Sequence, residues 1–339
     1  MIAVVEARIT SIATTTEPRI RGSGSSRWQA MKNRPAVVGR ITRAAPPAAA
    51  REARSGNIPR VETEREERGR LLGFFDRHAS WWDDVYAHDT LAGDVYRARE
   101  RLVLDWVGDL ALAQSASIFE VGCGAGRLSV ALGARGFSVE AVDASAEMVR
   151  LAREHVAAEQ VGDRVRIEVG DAERLPGRDD GYDVVIAVGV LPWVESPAGL
   201  VRECARLVRP GGAVIVTADN AARLGAIGEP NAHPVLSAPR EARRRWRERR
   251  GTPMGPRWRM HFPGRVDSML AAAGLRVRRR TTVGFGPFSI RGHGILADDR
   301  GRRLDRTLNA LAAERLPFLR RLGWHYVVLA ERPRPRIGD

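Results

Sequence analysis

The chain has 339 residues, 44% of them hydrophobic, with 55 Lys and Arg against 41 Asp and Glu. Length and apolar content suit an α/β domain with insertions and exclude a small disulfide-held scaffold. No window holds the ~18 uninterrupted apolar residues of a membrane span. Glu6 and Arg8 interrupt the N-terminus too early for a secretory signal. The two cysteines, Cys123 and Cys204, lack metal-ligand spacing and fit a reducing cytoplasm, so no metal is expected.

The net charge of +14 is local. Residues 1–60 hold eleven basic and three acidic side chains, and residues 240–280 hold fourteen and three. Lys32 is the only lysine, which points to coding bias toward arginine as much as to selection for charge. A solvated tail and a basic lid are therefore expected ahead of nucleic-acid binding.

Residues 1–61, with GSGSS, APPAAA and scattered arginines, lack periodicity and read as a disordered basic tail or a misassigned start, Met31 being one later candidate. Residues 62–112 form a helical lid: helices are expected over 62–78 and 91–108, joined by the aromatic linker HASWWDDVYAHD. Strand and helix signals then alternate across a core over 113–220, which predicts βαβ units and a parallel sheet. Strands are expected at Ile118–Val121, Val139–Val142, Val165–Val169, Asp183–Val188 and Ala213–Thr217, their apolar runs suiting burial on both faces. A helix over Pro197–Leu207 has Ser196 as its cap and places Cys204 on the core face, and Pro210-Gly211-Gly212 is expected to turn the chain into the next strand. Residues 221–262 form a basic insertion with the run EARRRWRERR. Residues 263–339 supply a helix at Arg265–Ala273, strands at Leu275–Phe285 and Trp324–Ala330, and a second insertion, 286–323, with a helix around Leu304–Leu311.

The segment Ile118-Phe-Glu-Val-Gly-Cys-Gly-Ala-Gly126 runs a buried strand into a glycine loop that opens a helix. Such a loop turns sharply and lets a ligand approach the backbone. The third glycine follows the first by four residues, not the five of a dinucleotide fingerprint, which disfavours an NAD oxidoreductase. Asp143 ends the second strand, where one carboxylate can accept from both hydroxyls of a ribose. Asp171 and the backbone of Ala172 can pair with an adenine edge, with Val188 beside the purine.

EVGCGAG, VDAS, GDAERLP, DVVIAVGVLPWV and LVRPGGAVIVTADN resemble, in order and spacing, the motifs of class I S-adenosylmethionine (SAM)-dependent methyltransferases. The resemblance implies a Rossmann-like α/β fold, with a seven-stranded mostly parallel sheet of order 3-2-1-4-5-7-6. It assigns the SAM site to Glu120, Gly122, Cys123, Gly124, Gly126, Asp143, Ala144, Asp171, Ala172 and Val188. ASWWDDVY with the arginine-rich helix after it is similar to quinone-pathway O-methyltransferases, whose equivalent helix directs an arginine to the methionyl carboxylate; Arg97 and Arg101 are the two candidates. TADN, AAGL, TTVGFGPFSI and HYVVLA resemble bacterial methyltransferases of polysaccharide and secondary-metabolite pathways.

Methylating a hydroxyl requires removal of a proton. The candidate bases are His233, His261 and His325, with Asp219 as an outsider. Trp82, Tyr86 and Trp193 can line the acceptor site or simply pack. The arginines of 221–262, interleaved with Trp246 and Trp258, can hold a phosphorylated or lipid-linked acceptor, contact a membrane surface, or form a solvated face. The expected activity is O-methylation of a small metabolite, sugar-containing or quinone-like acceptor. The alternatives are RNA methylation and non-catalytic SAM binding.

Overall fold

The computed structural model describes residues 60–226, 237–250, 255–290 and 293–335. Residues 1–59 of the expected tail and His233 lie outside them, while Arg60 and Val61 begin the first helix. The described residues from Glu64 onward form one compact unit. No described helix is long and apolar enough to cross a membrane.

Three helices precede the sheet: α1 (Arg60–Arg77), α2 (Ala79–Asp84) and α3 (Leu91–Asp109). Within the aromatic linker, ASWWDD forms a further helix, α2, whose Trp82 packs on Phe75 and Tyr96. Thr90 caps α3 by accepting from the Gly93 amide at 3.1 Å. The core follows as β1 (Ser117–Val121), α4 (Arg127–Ala134), β2 (Ser138–Asp143), α5 (Ala146–Ala158), β3 (Val165–Val169), β4 (Tyr182–Ala187), α6 (Pro197–Leu207) and β5 (Val208–Asp219). Ser196 caps α6 through the Gly199 amide, and Cys204 is fully buried, both as expected.

The remainder supplies α7 (Ser237–Arg249), α8 (Pro263–Ala272), β6 (Arg276–Val283), a two-stranded ladder of β7 (Ser289–Ile290) and β8 (His293–Gly294), α9 (Asp298–Glu314) and β9 (His325–Glu331). The large sheet runs β3-β2-β1-β4-β5-β9-β6, with β9 antiparallel to both neighbours. With the two short strands set aside, this is the expected order of seven. Helix α9 is about twice the expected length, its first turn carrying Asp298 and Asp299 at the positive end of the helix dipole.

Pro210-Gly211-Gly212 does not separate α6 from the next strand. Strand β5 already pairs at Val208 opposite Tyr182, and its next partner is Ala213 opposite Val184. Three extra residues therefore bulge out, and Gly211 adopts φ +81° to allow it.

The period of two sorts the strands onto two cores. Ile118, Val184, Ile186, Ile215, Val327 and Leu329 face Val103, Val107, Leu128 and Val149 of α3, α4 and α5. Phe119, Val185, Val214, Val216, Val328 and Ala330 face Leu200, Val201 and Cys204 of α6, with Val266 and Leu270 of α8. Burying each of these aliphatic side chains is worth about 1.5–3 kcal/mol. That layering presents the carboxyl ends of β1, β2, β4 and β5 together, where open α/β sheets place ligands.

Candidate active site

The glycine loop is fastened to β2. Gly122 and Cys123 donate their amides to the Val142 carbonyl. The Asp143 carboxylate accepts from the amides of Gly124 and Ser145, each at 2.9 Å. Burial raises the Asp143 pKa while these amides oppose it.

The three loop glycines have different duties although all have positive φ. A Cβ on Gly126 would lie 2.8 Å from Cβ of Ala152, so this glycine lets α4 pack on α5. A Cβ on Gly122 would lie 2.5 Å from Val190. Of the three, only Gly124 would place its Cβ in open space, so its backbone is accessible from that side. Cys123 is buried, and its thiol pKa is pushed well up by burial, so it is no nucleophile at neutral pH.

Glu120 is buried at the end of β1, where its carboxylate accepts from the Ser129 hydroxyl. Burial, with Glu100 and Asp143 nearby, lifts its pKa to about 8. Ala144 is exposed, while Ala172 and Val188 are half-buried against the two cores.

Helix α1 crosses the loops that follow β2 and β3. Arg68 donates to Asp171 at 2.6 Å, and the Ser145 hydroxyl donates to Asp76 at 2.5 Å. The pKa of Asp171 is lowered: the Glu173 amide and Arg68 overcome the effect of burial. An adenine at this edge would share Asp171 with Arg68.

Aromatic rings continue from α1 into the sheet. Trp193 meets Phe75 edge-on at 5.2 Å, and Trp82 lies 5.9 Å from Phe75 and 6.0 Å from Tyr96. Tyr96 lies 5.7 Å from both Tyr86 and His325. Trp82, Tyr86 and Trp193 thus belong to one cluster that reaches the sheet's carboxyl edge.

Neither arginine expected to face the cofactor is placed for it. Arg97 is held by Asp94 and the carbonyls of Tyr86 and His88, and Arg101 is exposed. The inward arginine of α3 is Arg99, which is 7% exposed. Its guanidinium lies 4.9 Å from the Tyr96 ring centre and donates to the Tyr86 hydroxyl at 3.3 Å. Its Nε makes no hydrogen bond among the described residues. The position follows from periodicity, since Val95, Arg99, Val103 and Trp106 share the buried face of α3.

Two of the candidate bases sit beside the outsider carboxylate. Asp219 ends β5 and is paired in register with His325, which begins β9. The Asp219 Oδ1 and His325 Nδ1 atoms are 2.9 Å apart, and both side chains are buried. Burial lowers the His325 pKa, with Arg99 and Arg223 acting in the same direction and Asp219 opposing them. The Asp219 pKa is lowered, its bonds from His325 and Trp258 outweighing burial. His325 Nε2 makes no hydrogen bond among the described residues.

His261 is held differently. Its amide donates to the Asp219 carbonyl, and its Nε2 lies 3.3 Å from the Leu191 carbonyl. Burial lowers its pKa as well. These contacts make His261 a clamp between the chain after β5 and the chain after β4.

The basic insertion also behaves differently from its composition. Arg244 and Arg257 both approach Glu67 of α1, and Arg257 pairs with Glu241 at 3.1 Å. Arg250 lies over the exposed Trp246. Trp258 instead turns inward and donates its indole N–H to Asp219 Oδ2 at 2.5 Å.

Residues 119–216 match the family model described as a methyltransferase domain. The chain carries a class I SAM-dependent methyltransferase domain. It is 35% identical over 147 residues to a ubiquinone biosynthesis O-methyltransferase of Ralstonia nicotianae, covering 43% of this chain and 59% of that one. The protein of that name from Bordetella avium is 32% identical over 170 residues, or 50% of this chain and 66% of its own. The methyltransferase domain thus matches only about six-tenths of these relatives' length. Magnesium protoporphyrin IX methyltransferase from Synechocystis, solved with S-adenosylhomocysteine (SAH), gives a TM-score of 0.52 at 18% identity. That likeness covers 78% of this chain and 99% of the other, and it supports the fold alone.

Proposed function

We propose that the protein transfers the methyl group of SAM to a hydroxyl of a small, oxygen-bearing aromatic acceptor of the quinone-precursor type. The buried His325–Asp219 pair at the carboxyl edge of the sheet carries the reading. With Nδ1–H bonded to Asp219, the neutral imidazole keeps its Nε2 lone pair for a proton. The lowered His325 pKa keeps the ring neutral near pH 7.

The cofactor supplies an electrophilic methyl on a sulfonium. Transfer of that methyl to an acceptor hydroxyl, with the thioether SAH as leaving group, would release the hydroxyl proton to His325 Nε2. Asp143 suits the ribose, Gly124 leaves room for the backbone to approach, and the unpaired Nε of Arg99 suits a carboxylate. Lining by Trp82, Tyr96 and Trp193 favours a planar acceptor. Among the described residues the indole N–H groups of Trp82 and Trp324 are buried without acceptors, which favours ring oxygens on the acceptor. Similarity to ubiquinone biosynthesis O-methyltransferases supports the same reading.

Calorimetric titration with SAH, with NAD as control, tests the cofactor. Binding is expected for SAH alone, and Asp143→Ala is expected to abolish it. Methyl transfer from isotopically labelled SAM to a panel of catechols then tests the acceptor class. His325→Gln is expected to lower kcat by ~10²–10⁴ with SAH affinity kept. A folded protein that ignores SAH would sink the proposal.

A further inference from the structure

We infer that Trp258, a residue of the basic insertion, is a positioning residue that fixes the Asp219 carboxylate and through it the tautomer of His325. This rests on the reading of His325 as the base. Asp219 has two oxygens with separate partners: Oδ1 faces His325 Nδ1 at 2.9 Å, and Oδ2 accepts from Trp258 Nε1 at 2.5 Å. The terminal torsion of an aspartate is broad and roughly two-fold, so one hydrogen bond alone leaves the carboxylate free to turn. A second donor on the other oxygen removes that freedom.

The surroundings hold Trp258 in place. The Arg259 amide donates to the Pro192 carbonyl at 2.9 Å, and its guanidinium donates to the Val194 carbonyl at 2.8 Å. The His261 amide donates to the Asp219 carbonyl at 2.8 Å. The segment bearing Trp258 is thereby tied both to the chain after β4 and to Asp219 itself. Arg223 lies over the rings of Trp258 and Trp324, at 5.7 and 5.1 Å, and closes the cluster beside His325. The other groups facing the pair are Arg99 and Tyr96 of α3.

An imidazole has two neutral tautomers, and only the one protonated at Nδ1 leaves Nε2 able to take a proton. A carboxylate that turns away from Nδ1 allows the other tautomer, whose lone pair sits on Nδ1 and not on Nε2, so that Nε2 cannot take the acceptor's proton. Trp258 therefore acts on the reaction without touching the reacting atoms.

The test is ¹⁵N NMR of histidine-labelled full-length protein, with His325→Gln to identify the signal. Wild type is expected to show His325 as a single Nδ1–H tautomer with a slowly exchanging proton. Trp258→Phe keeps the ring bulk and removes the N–H. It is expected to give exchanging tautomers while SAH affinity, read by calorimetry, stays within about twofold. With a catechol acceptor, kcat is expected to fall roughly 10- to 100-fold at constant KM for SAM.

Retention of the single tautomer in Trp258→Phe would overturn the inference. So would loss of the tautomer together with SAH affinity, because that signals general collapse. Should the phenylalanine variant fail to fold, benzothienylalanine at position 258 replaces N–H by sulfur at nearly constant shape and reads the same signal. Failure of wild type to bind SAH would remove the methyltransferase reading, while the tautomer comparison would still be legible.

Discussion

Among single residues, Glu120 ties a titration to stability. Assigned to the SAM site by resemblance, it is buried beside Ser129 with its pKa raised from 4.5 to about 8. Burial disfavours the charged form, and the neighbouring Glu100 and Asp143 disfavour it further. The native state thus holds this proton more tightly than the unfolded chain does. The associated stability is complete below about pH 4.5 and is lost as pH rises through about 8. Its full size is on the order of 5 kcal/mol. Glu120→Gln is expected to remove this slope, so that the variant's stability relative to wild type grows from pH 5 to about pH 8. Urea unfolding at several pH values measures the difference, and parallel curves would place the titration elsewhere.

Other single residues show how far local pattern reaches. Asp143 and the glycine loop were legible because strand, loop and helix follow one another within a few residues. Arg99 was not, because Arg97 and Arg101 have the same chemistry on the same helix. Only the packing of α3 decides which of the three points inward.

Between elements, His155 joins α5 to two others. Its Nδ1 lies 2.8 Å from the Ala125 carbonyl in the glycine loop, and its Nε2 lies 3.4 Å from Asp83 of α2. Asp83 raises the His155 pKa, with burial and Arg127 opposing. A charged imidazole can donate at both nitrogens, whereas a neutral one can donate at only one. The docking contribution is therefore present below the ordinary value of 6.5 and lost as pH rises through the raised value. Hydrogen exchange of α2 amides, corrected for intrinsic rate, is expected to quicken across that window in wild type. In His155→Ala it is expected to be fast throughout. Equal protection at both ends of the window would show that the rings alone hold α2. The helix itself was hidden in the sequence, because a six-residue helix has little periodicity and is stabilised by its neighbours.

For the whole molecule, β9 decides whether the sheet closes. It lies between β5 and β6 in the sheet, and Val327, Val328 and Ala330 are fully buried. A chain ending at Gly323 would expose both neighbouring strands and lose His325. It is expected to show no cooperative thermal unfolding by circular dichroism, and a native-like melt would refute the role given to β9.

Sequence by itself determined the class of fold, the strand positions in the core and the glycine loop that meets Asp143. Those features rest on periods of two and 3.6 and on glycines a few residues apart, which are short-range signals. Only the tertiary structure decided which histidine meets Asp219, which arginine faces inward, and that one insertion tryptophan joins them. His325 is 106 residues from Asp219 and Trp258 is 39 away. At such separations sequence leaves many partners open. The antiparallel register of β9 on β5 selects the first, and the docking of the insertion on the chain after β4 selects the second.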